Sequence, residues 1–195
     1  DTAEKNFKTA LQRLRKSLEP STHKEFGSSY VRLQDNTIFL SPELCQVDAD
    51  LFLFQLKNGE EREKRNDMKE AISFYNEAAE LYRGDFLPEE LYLPRVDRKR
   101  EELREKYIGL LHKLANLFER QRALRKAIEC HKKAIQTDPL LEESYQKLMT
   151  LYSNRGMYNE ALKIYEACKK ALKAELKTKP DAMTTALYNK ILEKM

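Results

Sequence analysis

Tryptophan is absent from this 195-residue chain, and glycine (5), proline (6) and cysteine (3) are scarce. So few chain breakers, beside 35% charged residues, argue against a many-turned sheet sandwich and for long solvated helices. The cysteines Cys45, Cys130 and Cys168 are odd in number and have no C-x-x-C spacing, so neither a disulfide framework nor a zinc knuckle is expected, and all three are read as reduced. His23, His112 and His131 are scattered, without a carboxylate or cysteine at ligand spacing, so no metal site is expected. No run approaches the roughly 18 apolar residues of a membrane span, and the N-terminus lacks the basic-then-apolar plan of a secretory signal; a cytoplasmic protein with no membrane partner is expected. A glycine-rich phosphate loop, a G-x-S-x-G elbow, an H-E-x-x-H pair and a cysteine–histidine pair in catalytic context are also missing, so no catalytic residue, no cofactor and no enzymatic activity are expected. The formal net charge of +4 is too small to argue for nucleic acid on bulk charge, and any such signal must be local.

At the N-terminus, Phe7, Leu11, Leu14 and Leu18 recur at helical steps, which predicts a helix with one apolar stripe closed by Pro20. The segment 21–29 is polar. Tyr30 to Leu33 and Thr37 to Leu40 are β-prone runs around Gln34-Asp35-Asn36, a hairpin signal. After Pro42 the chain turns helical, with Asp48 as an N-cap ahead of Leu51, Phe52 and Leu56, and a boundary is expected between 41 and 48. The charged segment 57–67 contains Asn58-Gly59 and predicts a helix end followed by a solvated connection with no binding role.

A repeat dominates the remainder. Leu114, Phe118, Ala127 and Ala134 are followed 34 positions later by Leu148, Tyr152, Ala161 and Cys168, a period that belongs to helix-turn-helix repeats. Small residues such as Ala127, Ala134 and Ala161 let paired helices approach, and Phe118, Tyr152 and Tyr165 fill the space between neighbours. These positions resemble the tetratricopeptide pattern, with Gly156 at the turn. An earlier copy at Ala71, Tyr75 and Ala78 is separated from the next by about 22 extra residues, from Gly84 to about Lys106. Within that insertion Arg95 to Lys106 is basic, but Asp97, Glu101, Glu102 and Glu105 interleave, which reads as a solvated helix face. Tyr75, Tyr82, Tyr152, Tyr158 and Tyr165 at helical spacing are read as packing aromatics rather than a ligand groove.

Lys5, Lys8, Arg13, Arg15 and Lys16 occupy a stretch without acids opposite the apolar stripe of the first helix, a cationic face suited to phosphate. Thr9, Gln12, Arg13 and Lys16 lie farthest from the stripe, where Gln12 or Arg13 could reach base edges in a major groove while lysines touch phosphates. A basic helix followed by a hairpin is the order of the last elements of a winged helix-turn-helix domain. Asp35 at the hairpin tip weighs against close phosphate contact there.

Taken in order, the stretches A-L-Q-R-L-R-K-S-L-E (10–19), V-D-A-D-L-F (47–52), L-Y-R-G-D-F-L-P (81–88), D-P-L-L-E-E-S-Y-Q-K-L-M (138–149), A-L-K-I-Y-E-A-C-K-K-A-L-K-A-E-L (161–176) and P-D-A-M-T-T-A-L-Y-N-K-I-L (180–192) resemble the bacterial transcriptional activator domain and the OmpR-type winged-helix end that precedes it, as in the antibiotic-regulatory (SARP) activators. The chain departs from that pattern in its missing tryptophan and at Lys177, where the family has glycine after E-L. The resemblance implies a mainly all-α fold: a tetratricopeptide-like array of helical hairpins over 47–195, preceded over 1–46 by the C-terminal part of a winged helix, namely a recognition helix plus β-hairpin. It places DNA contact on Lys8, Thr9, Gln12, Arg13 and Lys16, to which the cationic face adds Lys5 and the hairpin tip adds Asn36. It further implies a DNA-binding activator that reaches double-stranded DNA through a longer protein, with RNA polymerase or another regulatory protein, and a second copy of itself as a homo-oligomer, as partners. The rival reading is a tetratricopeptide-type scaffold that grips a peptide in a concave groove without DNA.

Overall fold

A computed structural model describes residues 2–18, 29–35 and 37–195. The chain divides into two compact units, Asp1–Asp50 and Leu51–Met195.

In the first unit, α1 (Thr2–Leu18) is followed by β1 (Val31–Gln34) and β2 (Thr37–Leu40). The strands pair antiparallel with Val31 opposite Leu40 and Gln34 opposite Thr37, so the hairpin closes over two residues. Asp35 supplies the positive φ (48°) that such a short turn requires. The expected apolar stripe of α1 is only partly covered: Leu11 is buried, whereas Phe7, Leu14 and Leu18 remain exposed. The described elements of this unit are one helix and one two-stranded sheet, too little layered structure to cover a whole helical stripe. Pro20, the expected helix stop, lies outside the described residues.

The second unit is an array of helical hairpins. α2 (Asp48–Lys64), which begins at the end of the first unit, pairs with α3 (Met68–Leu81) through Gln55–Glu77, Tyr75–Glu63 and Arg62–Glu70; α4 (Pro94–Arg120) pairs with α5 (Leu124–Thr137), and α6 (Glu142–Ser153) with α7 (Tyr158–Glu175). A closing helix, α8 (Ala182–Leu192), packs on α6 and α7.

One turn design serves all three hairpins. Asn66, Arg122 and Gly156 each take a left-handed φ (61°, 59° and 70°). The following amide then bonds back to the last turn of the first helix: Asp67 N to Arg62 O at 2.9 Å, Ala123 N to Phe118 O at 2.8 Å and Met157 N to Tyr152 O at 3.0 Å. This is a Schellman closure, which satisfies carbonyls that the helix end would leave open.

Packing repeats in the same register. Ala71, Ala127 and Ala161 are fully buried, as are Ala78, Ala134 and Cys168 two turns on, because a small side chain at these points is what lets the two helices of a hairpin close. Between them sits a ring: Tyr75, His131 and Tyr165. Neighbouring hairpins are joined by aromatics, with Tyr82 stacked on Tyr107 at 4.1 Å and tilted against Phe52 at 6.1 Å; Tyr165 stacks on Tyr188 of the closing helix at 4.1 Å.

The expected helix end at Asn58-Gly59 is corrected by the structure, since α2 runs unbroken through both residues. Gly59 is buried under Tyr75, and a Cβ there would collide with Cδ1 and Cε1 of that ring. Here glycine answers a close approach between helices and not a turn.

The insertion between the first two hairpins consists of residues 82–93 and the first part of α4, which starts well before the register of α6. The basic residues at its start are largely spent on structure. Arg100 donates to three carbonyls, Phe86 O (2.9 Å), Leu87 O (2.6 Å) and Glu90 O (3.1 Å), and pairs with Asp97 at 2.8 Å. Arg104 holds Asp85 with both Nε and Nη2. That contact keeps the Asp85 carboxyl below the usual carboxylate range, while burial, the main cause, pushes the neighbouring Tyr82 hydroxyl up to about 12.

Candidate nucleic-acid interface

The sequence-predicted DNA residues all fall on α1 except Asn36, which lies outside the described residues. Lys5, Lys8, Thr9, Gln12, Arg13 and Lys16 are exposed along the helix. Two of them are engaged locally. Lys8 pairs with Glu4 at 2.6 Å, one turn back, and Thr9 Oγ1 donates to Lys5 O at 2.8 Å. Both groups of the Lys8–Glu4 pair are about two-thirds exposed, so a phosphate can compete for the lysine at little cost. Lys5, Gln12, Arg13 and Lys16 therefore form the open part of the face.

Arg15 belongs elsewhere. Its Nε donates to Val31 O at 2.8 Å and ties α1 to the first residue of β1, so this cation is a strut between helix and hairpin rather than part of the open cationic face. At the hairpin base, Ser41 Oγ donates to Glu43 at 2.5 Å; this bond, then a backbone one, with the Arg32 guanidinium 3.5 Å away, holds the Glu43 carboxyl below its ordinary range.

Beyond α1, the second unit carries a groove that sequence reasoning passed over. A cavity of about 420 Å³ opens between α2 and α4, floored by Leu53, Leu56 and Leu110 and edged by Lys57, Lys113 and Glu60. Lys113 reaches Glu60 at 2.7 Å. Lys57 and Lys113 stand in the same register as Lys147 of α6, with the 56- and 34-residue steps that separate Asn66, Arg122 and Gly156. That spacing was the signal available in the sequence.

His112 and His131, distant in sequence, come together on facing helices with ring centroids 5.6 Å apart. His112 Nε2 and Ser144 Oγ are within hydrogen-bond distance at 2.8 Å. His131 is 2% exposed, neither of its nitrogens is hydrogen-bonded, and Glu119 Oε1, at 3.8 Å, is too far to serve. Burial, reinforced by His112 and Lys147, lowers the His131 pKa to about 4. Among the described residues no three His, Cys, Asp or Glu side chains converge as metal ligands, the three cysteines are free, and no helix is long and apolar enough to cross a membrane.

These features define a tetratricopeptide-like helical array preceded by a cationic helix and a β-hairpin. Residues 47–192 match the family described as Bacterial transcriptional activator domain, and the chain belongs to that family of regulatory domains. Among solved structures, Mycobacterium tuberculosis EmbR, determined in complex with a low affinity phosphopeptide, is similar over 99% of this chain and 50% of its own, with 19% identity and a TM-score of 0.67. The C-terminal TPR-containing domain of a Plasmodium falciparum FK506-binding protein is similar over 75% of this chain and 89% of its own, with 20% identity and a TM-score of 0.49. The chain thus spans half the length of EmbR, and that likeness shows the fold. Among curated protein sequences none matches significantly.

Proposed function

We propose that this chain is part of a DNA-binding transcriptional activator in which residues 1–46 form the end of a winged-helix domain and residues 47–195 the activation domain. In this reading α1 lies in a major groove with Gln12 and Arg13 at base edges and Lys5, Lys8 and Lys16 on phosphates, and the hairpin serves as the wing. Thr9 and Asn36 complete the contact surface. The helical array meets RNA polymerase or another regulatory protein, and self-association is compatible with the same surface. The observation that carries the reading is an exposed cationic helix strutted to a hairpin through Arg15, directly ahead of a domain of an activator family.

The test is fluorescence anisotropy of the chain with random duplex DNA at roughly 50 and 200 mM salt, beside a Gln12→Ala, Arg13→Ala, Lys16→Ala variant. Salt-sensitive binding that the variant loses supports the reading; equal binding by both proteins removes DNA contact from α1. A second reading, a peptide-gripping scaffold, is favoured by one observation, the apolar-floored groove with its lysines in repeat register. Lys57→Glu with Lys113→Glu weakens a peptide partner in that case and leaves DNA untouched.

A further inference from the structure

Several cations in the second unit have acidic neighbours. Arg104 holds Asp85, Lys113 holds Glu60, Lys99 holds Glu102, and Lys163 and Lys169 pair with glutamates one turn away. The turns of the second and third hairpins differ. Arg122, Arg125, Lys126 and Arg155 line one open cavity of about 450 Å³ together with Ala123 and Leu124, and no acid contributes to it. The side chains of Arg122, Arg125 and Arg155 make no hydrogen bond or ion pair with any described residue, and Lys126 lies over the Phe118 ring at 5.3 Å, which fixes its stem at the cavity. Four cations around one cavity with no acid among its lining residues repel one another.

Arg122 adds a separate cost. It holds a φ of 59° where the equivalent turn residues are Asn66 and Gly156, two types that tolerate the left-handed region. Keeping a long cation in that conformation, with three more cations around one cavity, is understandable if an anion completes the site.

We propose that this cluster is a second phosphate-contacting surface, through which the helical unit grips the backbone of duplex DNA in a sequence-independent way. The proposal rests on the reading of the chain as a DNA-binding activator. A duplex is favoured over an acidic protein segment by what the cavity lacks. Protein segments gain affinity from buried apolar anchors, and only Ala123 and Leu124 are available here. A dense row of phosphates needs none, since release of counterions supplies the affinity and arginine forks match phosphate oxygens.

The experiment uses the full chain with random duplex DNA and measures how log K falls with log salt. Arg122→Gly, Arg125→Gln and Arg155→Gln are combined, the glycine being suited to the turn, and circular dichroism melting confirms the fold. Each phosphate contact contributes about 0.9 to the slope, so the triple variant is expected to lose a slope of about 2 to 3, both alone and when added to the α1 variant. A slope unchanged by the triple variant overturns the proposal, as does a parent chain that binds no duplex. Capture of labelled polyglutamate by the parent and not by the variant, with DNA binding equal in both, also overturns it and makes the cluster a protein-docking site. The two DNA surfaces are separable: loss only in the α1 variant leaves the activator reading standing without this one, and loss only in the triple variant does the reverse.

Discussion

His131 makes the fold sensitive to mild acid. Its position belongs, by register, to the aromatic ring that Tyr75 and Tyr165 fill in the flanking hairpins, and the smaller imidazole suits a site where Ala115 stands in place of Gly59. Buried at 2% exposure, without a hydrogen bond, and facing His112 and Glu119 on α4 and Lys147 on α6, the ring stays neutral in the fold. Its folded pKa of about 4 lies below the ordinary 6.5, so the unfolded chain takes up the proton more readily. The stability from a neutral His131 is therefore complete above about 6.5 and is lost as pH falls toward 4. Between pH 7 and pH 5 the loss works out at about 2 kcal/mol from this group alone. His112, also lowered, chiefly by burial, adds a loss of the same sign.

Urea unfolding followed by far-UV circular dichroism at constant ionic strength measures this directly. His131→Leu is expected to flatten the pH dependence between 7 and 5 by about 2 kcal/mol, above the range where carboxylates titrate. If wild type and variant lose stability in parallel, the buried imidazole is not the acid-sensitive element and the reasoning fails.

Three further outcomes are expected. Gly59→Ala drives a methyl into the Tyr75 ring and should destabilise by about 1–3 kcal/mol in thermal or urea melts, despite the better helix propensity of alanine. Lys177 has a φ of 55°, at the point where the resembling family carries glycine, so Lys177→Gly should stabilise by about 1 kcal/mol; a neutral or negative change would contradict the strain argument. Burial pushes the Cys130 thiol up to about 11 and the Cys168 thiol up to about 12, so iodoacetamide at about pH 8 should label half-exposed Cys45 in the folded protein and all three cysteines in urea, as peptide mass spectrometry would show.

The sequence made the array legible because its packing is local and periodic. Small residues at Ala71, Ala127 and Ala161 and again at Ala78, Ala134 and Cys168 must recur wherever a helix pair closes, so the 34-residue period and the interruption after the first copy both follow from spacing alone. The hairpin was visible for a similar reason, as two β-prone runs around a short polar turn. The failure at Gly59 is equally instructive: glycine after asparagine looks like a turn, and only the ring of Tyr75, 16 residues away, makes it a contact.

The candidate surfaces divide along the same line. Composition and helical phase alone set the cationic face of α1, since which side chains share a face depends only on the 3.6-residue turn. Whether a given cation is open or spent depends on what the fold brings near it: Arg15 is taken by Val31 O, Arg100 by three carbonyls of the insertion, and Lys113 by Glu60. The sequence by itself determined the repeat, its register and the helical phase of each charge. Tertiary structure decided which charges are neutralised, that His112 and His131 meet across α4 and α5, and that Arg155 joins Arg122 and Arg125 at one cavity, because those encounters depend on long-range packing that no local pattern encodes.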